Sequence, residues 1–104
     1  MVKEVNDEEL KALISSGKKI VCDFFASWCG PCRMLAPVME TLSEELGTQA
    51  EFVKTDTDKN PVVAIENGVA SIPTVIIFED GKVKALNVGF MPEELMREYL
   101  KAHI

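Results

Sequence analysis

A three-layer α/β fold, with helices on both faces of a central mixed β-sheet, is predicted by three observations. Apolar runs of strand length alternate with segments of helical period along the whole chain. No internal repeat, low-complexity segment or linker rich in Pro, Gly or Ser interrupts them. The 104 residues make one domain's worth of chain, enough to bury roughly two-thirds of the unfolded surface around one core. The order reads β-α-β-α-β-α-β-β-α, and residues 1–104 are taken as a single domain.

Residues 2–5 predict a short edge strand. Asn6 then offers an N-cap with Glu9 three residues on, Leu10, Leu13 and Ile14 share one helical face, and Gly17 supplies the stop. Lys19 to Phe25 is the strongest strand. The next helix is read from Pro31 at its first position, with Cys32, Leu35, Val38, Met39, Leu42 and Leu46 on one face and Gly47 at its end. Pro37 lies inside it, without an N–H for the carbonyl of Arg33, and predicts a kink. Residues 51–56 return as a strand. Asp58 is expected to cap a short helix that has Pro61 near its first turn and ends at Asn67-Gly68. Thr74 to Phe78 is a third long apolar strand, and Asp80-Gly81 before Lys82-Val83 signals a hairpin. Pro92 opens a last helix with Leu95, Met96, Tyr99 and Leu100 inward.

Composition narrows the function classes. Nearly half the residues are hydrophobic and about a quarter charged, which is ordinary globular usage. A net charge of −6 argues against a sequence-independent grip on nucleic acid, which needs clustered Lys and Arg, and favours a soluble monomer. No apolar stretch approaches bilayer-spanning length, and the N-terminal residues lack the apolar core of a signal peptide. Three cysteines do not make a disulfide framework. A cytoplasmic, reducing setting fits best.

Chemistry concentrates in Trp28-Cys29-Gly30-Pro31-Cys32. A Cys-x-x-Cys alone is ambiguous, but between a buried strand and an apolar helix it reads as a redox dithiol. The alternative is half of a zinc site, which needs four ligands. Cys22 lies in a strand and His103 at the far terminus, so no second pair has plausible spacing and no metal is expected. The five methionines show no ligand pattern either.

With that motif at a strand-to-helix junction, the chain closely resembles the thioredoxin family over nearly its whole length. Asp23 six residues before the first motif cysteine, Pro37, Lys54, Ile72-Pro73-Thr74 and Gly89 also stand where the family has its counterparts. The resemblance implies a sheet with two strands parallel to the edge strand and a C-terminal antiparallel hairpin. Three positions depart from it: Phe25 replaces a frequent second tryptophan, Arg33 a common lysine, and Cys22 is an extra thiol.

A thiolate, not a thiol, attacks a disulfide. Cys29 precedes the helix, and its sulfur can lie over the free N–H groups and positive dipole end of the first turn. Thioredoxin is itself the reference case, with a thiol pKa near ~7 against ~8.5 for free cysteine. Such a drop raises the thiolate fraction from roughly 3% to about half, while lower nucleophilicity gives back a factor of roughly 4 to 6. Most of the speed must therefore come from an exposed Cys29, a preorganised attack site and a nearby resolving thiol. Cys32, one turn on and facing inward, is expected to be that resolver. Gly30 and Pro31 permit the close approach of the sulfurs and stiffen the loop. The absence of a histidine between the cysteines favours reduction over oxidation.

Asp23 interrupts an apolar strand, where a bare carboxylate is costly to bury. Desolvation would raise its pKa and make it a proton acceptor for Cys32; a solvated carboxylate at the strand end is the plain alternative. Lys54 is either its electrostatic partner or an exposed strand lysine. From sequence alone the Ile72–Pro73 bond would be trans, but the resemblance implies cis, leaving the Ile72 backbone free to pair with an extended peptide. Trp28 is expected to be a partly exposed lid, or else core, and Gly89 to line the same groove or merely end a strand. Cys22 reads as an inert core residue.

The expected function is protein-disulfide reduction by a Cys29–Cys32 couple, without a bound cofactor. The resemblance implies a thioredoxin reductase as electron donor, disulfide-containing proteins and reductive enzymes as acceptors, and a role in cell redox homeostasis. The rival reading is an interaction module that uses the groove around Trp28, Ile72 and Gly89 with redox incidental. A glutaredoxin reading is weakened by the Gly-Pro dipeptide and the lack of an evident basic glutathione site.

Overall fold

In the computed structural model, which describes residues 1–104, the strand leading to the dithiol lies at the centre of a five-stranded sheet. This strand, β2 (Ile20–Phe25), pairs in parallel with β3 (Glu51–Asp56) and antiparallel with β4 (Thr74–Glu79). β1 (Lys3–Glu4) runs parallel to β3 at one edge, and β5 (Lys82–Val88) antiparallel to β4 at the other, giving the order β1-β3-β2-β4-β5. Two strands thus run parallel to the edge strand and the sheet closes with an antiparallel hairpin, as expected. Four helices complete the molecule: α1 (Asp7–Ser15), α2 (Gly30–Leu46), α3 (Val62–Glu66) and α4 (Glu93–His103).

Because side chains alternate across a strand, β2 supplies both faces of the core. Val21 packs with Leu35, Met39, Leu42, Met96 and Leu100 in the α2 and α4 layer. Ile20, Cys22 and Phe24 pack with Leu10, Val53, Val63, Ile76 and Phe78 in the α1 and α3 layer. Asp23 therefore emerges on the face covered by α2, the helix that carries Cys32. Cys22 is fully buried on the other face, as its alternation with Asp23 requires.

Local signals account for most boundaries. The Asn6 side chain accepts from the Glu9 N–H at 2.8 Å, and the Glu9 carboxylate from the Asn6 N–H at 3.0 Å, completing the predicted capping box. The hairpin turns through Asp80 and Gly81 at φ 56° and 76°, both in the left-handed region that glycine and aspartate tolerate best. The run of α2 continues through Pro37 to Leu46, although the ring removes one helical donor.

Four expectations need correction. Leu95, expected inward on the last helix, is half-exposed, and Met96 and Leu100 carry that helix's buried face. The helix after the motif starts one residue before Pro31, at Gly30, because Cys29 acts as its N-cap. The edge strand comprises only Lys3 and Glu4, with Val2 and Val5 buried on either side. Asp58 does not cap the short helix. That helix starts at Val62, and the N–H groups of Val62 and Val63 donate to the Asp7 carboxylate at 3.1 and 3.0 Å. One aspartate of α1 thus closes the end of α3 from across the fold. Asp7→Ala should cost about 1–2 kcal/mol, the usual loss for a removed cap. Urea denaturation checks it: the midpoint should fall with an unchanged slope.

Candidate active site

Geometry at the dithiol follows from β2 running directly into α2. After Phe25 the chain makes a short turn, and the Cys29 N–H donates to the Ala26 carbonyl at 3.2 Å. Cys29 and Cys32 form a disulfide with Cα atoms 5.2 Å apart. The Cys29 sulfur accepts from the Cys32 N–H at 3.2 Å, so one of the free donors of the helix start points at it. This is the interaction that the spacing of the two cysteines predicts, and Pro31 between them lacks an N–H of its own.

The loop before β4 forms the opposite wall. The Ile72 carbonyl oxygen lies 3.9 Å from the Cys29 sulfur, and the Ile72–Pro73 peptide bond is cis. The Gly89 N–H donates to the Pro73 carbonyl at 2.8 Å, which joins the end of β5 to the same wall. Gly89 has φ 96°, while a Cβ there would meet no atom within 4 Å. Its backbone conformation, not crowding, calls for glycine. Trp28 is 67% exposed, and its indole N–H donates to the Asp58 carboxylate at 2.7 Å. The Asp58 N–H in turn donates to the Asp56 carboxylate at 2.9 Å. Arg33 reaches back to the Ser27 carbonyl at 3.0 Å.

One expectation about the sulfurs is overturned. Cys29 is only 5% exposed in the disulfide form, scarcely more than Cys32 at 3%. Both pack with Ala26 under Phe25 and Ile72. The two cysteines differ in the donor that faces Cys29 and in their places at the helix end, not in gross exposure.

Asp23 is 3% exposed, and one of its carboxylate oxygens has no hydrogen-bond partner. Burial pushes its pKa up from an ordinary 3.8 to about 7, against a smaller lowering by the charge of Lys54. Lys54 is the register neighbour of Asp23 on β3. Its ammonium stands 5.6 Å from the centroid of the Phe25 ring, leaving that oxygen unpaired. Phe25, one of the positions that depart from the family, supplies the ring of this cation–π contact. Burial, and secondarily the charge of Asp23, push the Cys22 thiol well up, which keeps it a neutral, poorly nucleophilic group.

Sequence reasoning missed Asp58 as the partner of Trp28, because the two stand 30 positions apart. The surface depressions of about 430, 350 and 300 Å³ are lined by other residues. None of these depressions lies at the dithiol. No group of three or more His, Cys, Asp and Glu side chains is arranged to hold a metal ion, and no helix is long and apolar enough to cross a membrane.

Comparison with known proteins adds an independent observation. A family model described as thioredoxin matches residues 1–102. A thioredoxin of Bacillus subtilis is 41% identical over 103 residues, covering 99% of this chain and 98% of its own. One of Staphylococcus epidermidis is 44% identical with the same coverage. Among solved structures, a mutant thioredoxin from Halobacterium salinarum superposes with a TM-score of 0.86 at 36% identity, over 97% of this chain and 88% of that one.

Proposed function

From the premise that this chain belongs to the thioredoxin family, and is accordingly a protein thiol–disulfide oxidoreductase built on Cys29 and Cys32, we propose how its residues divide the reaction. Cys29 is the nucleophile. In the reduced protein its thiolate attacks one sulfur of a substrate disulfide, forming a Cys29–substrate disulfide and expelling the other substrate sulfur as a thiolate. Cys32 then gives up its proton and attacks the Cys29 sulfur, so that the second substrate thiolate leaves and the Cys29–Cys32 disulfide forms. Two electrons have passed to the substrate. A reductase-type donor reverses the exchange and restores the dithiol.

The observation that carries the assignment is the Cys32 N–H directed at the Cys29 sulfur at the start of α2, since a donor and a helix dipole there favour negative charge on that sulfur alone. Asp23 is the proton acceptor for Cys32. Its burial on the α2 side of the sheet and a pKa near 7 let it take and return a proton at neutral pH. Lys54 holds that value down from what burial alone would impose. Gly30 and Pro31 set the approach of the two sulfurs. Trp28, Ile72, Pro73 and Gly89 form the surface on which the substrate chain lies, with the Ile72 backbone pairing with it.

The chemistry needs no bound cofactor, because the dithiol itself stores the two electrons. A thioredoxin reductase is the donor proposed, disulfide-bearing proteins are the acceptors, and the working form is a single-domain cytoplasmic monomer. Reduction of insulin by the dithiol form, with a reductase regenerating it, tests the reading; failure of the reduced protein to cleave insulin would overturn it. The same titration yields an optical check. Trp28 is the only tryptophan and precedes the reacting sulfur, so its emission should differ between the disulfide and dithiol forms. Identical spectra would contradict its place at the site.

A further inference from the structure

β5 ends the sheet, and one of its faces is only about half covered. On the side where α1 and α3 bury Ile76 and Phe78 of β4, the cross-strand partners on β5 are Leu86 and Val83, and Thr74 is partnered by Val88. These three β5 side chains are 43%, 45% and 57% exposed. Their inward-facing neighbour Ala85 packs instead against the α2 and α4 layer. The result is a row of apolar groups, Val83, Leu86 and Val88, that the helices stop short of covering.

The row leads to the dithiol. Val88 is followed by Gly89, whose N–H is bonded to the Pro73 carbonyl, and then by Phe90, itself 36% exposed. At about 3.3 Å per residue, Leu86 lies roughly 10 Å along the strand from Gly89. Extended substrate chain that has reached Gly89 covers that distance in about three more residues. Strand addition at the outer backbone is discouraged by the register shift between Ile77 and Phe78, which leaves Lys84 unpaired in the ladder, and by Lys82 and Lys84 themselves. Side-chain contact, not an added strand, is what this face offers. Three half-exposed side chains are also far short of the ~800 Å² per partner of a stable dimer, whereas they suit the extension of an existing contact surface.

We infer that the substrate surface continues along β5, with Leu86, and beyond it Val83, receiving apolar side chains of the extended segment that flanks the disulfide of a protein substrate. The inference rests on the reading of the Trp28, Ile72 and Gly89 groove as the substrate site. It predicts a preference for unfolded or extended polypeptides carrying an apolar residue a few positions from the cysteine, and no help with a disulfide too short to span the distance.

The test compares insulin with hydroxyethyl disulfide. Leu86→Lys places a charge in the row at an exposed position, and the ratio of kcat/KM for insulin to that for hydroxyethyl disulfide should fall about fivefold, through KM rather than kcat. Leu86→Ile should restore it. Leu95→Lys, on a half-exposed apolar residue of α4, controls for added charge and should leave the ratio unchanged. An equal loss on both substrates, no loss on either, or sedimentation showing a wild-type dimer that Leu86→Lys dissociates would each overturn the inference. A wild-type protein inactive on both disulfides would overturn the groove reading, and this inference with it.

Discussion

Cys32→Ser is expected to stop turnover and to accumulate a covalent disulfide between Cys29 and the substrate. The first attack needs only Cys29, and the serine N–H still faces its sulfur as the Cys32 N–H does now. Release needs a second thiol already in place, and well-oriented intramolecular groups act at effective concentrations of about 10⁵ M or more. Millimolar external thiol replaces that poorly, so multiple turnover should fall by at least about a thousandfold. Cys29→Ser should be equally inactive but should trap little. Cys29 and Cys32 are almost equally buried as residues in the disulfide form, so their gross exposure in that form does not set them apart. The difference is expected from the helix end, whose free N–H and dipole favour a thiolate at the capping position, held by Cys29, over one inside the first turn. Intact mass after mixing each reduced variant with insulin checks this. Equal trapping by the two would show that nucleophile and resolver are assigned the wrong way round.

Asp23→Asn should stabilise the protein while slowing its chemistry. The folded carboxyl titrates near 7 rather than at its ordinary 3.8. Between those values the folded state holds a proton that the unfolded state has lost, so stability falls as pH rises through that window. Above it the penalty is complete, and a rise of this size corresponds to roughly 4 kcal/mol. An asparagine never ionises but still buries an amide, so a net gain of about 2–3 kcal/mol at pH 8, turning into a loss of about 1–2 kcal/mol below about pH 4, is expected from urea melts. Equal gains at both pH values would contradict the burial of an ionisable group there. The same variant has no base to take the Cys32 proton, so resolution of the Cys29–substrate disulfide should slow between about pH 6 and 8. Unchanged resolution rates across that range would remove Asp23 from the mechanism.

What could be read in the sequence was local. The Asn6 and Glu9 cap spans three residues, the Asp80-Gly81 turn two, and the strand and helix periods only the elements themselves. Asp23 stood out because a carboxylate in an apolar run breaks a pattern that nearby residues define. The role of Asp7 was illegible for the opposite reason, since its carboxylate meets N–H groups 55 and 56 positions away and an aspartate in a first helical turn already has a local explanation. The burial of Cys29 depends on Ile72, 43 residues on, which no motif spacing encodes. β5 was visible only at its start. An extra residue in its ladder breaks the alternation that would have marked the strand as far as Val88. Lys54 fell between: its register opposite Asp23 follows from strand pairing, but its seat over Phe25 is a matter of side-chain choice.

The place of β2 at the middle of the sheet also bears on how this protein can serve two kinds of client. A courier of electrons must be accepted by the donor when empty and by the acceptors when loaded, so something must tell the two occasions apart. Its dithiol directly follows the central strand, whose two flanks are paired along nearly their whole length, to β3 and to β4, and strands held on both sides yield least. Making or breaking one sulfur–sulfur bond on such a mount has little leverage over the rest of the molecule. Donor and acceptors must therefore read nearly the same contour, and the signal that says which way the electrons should run is confined to the two sulfurs and the few groups that touch them.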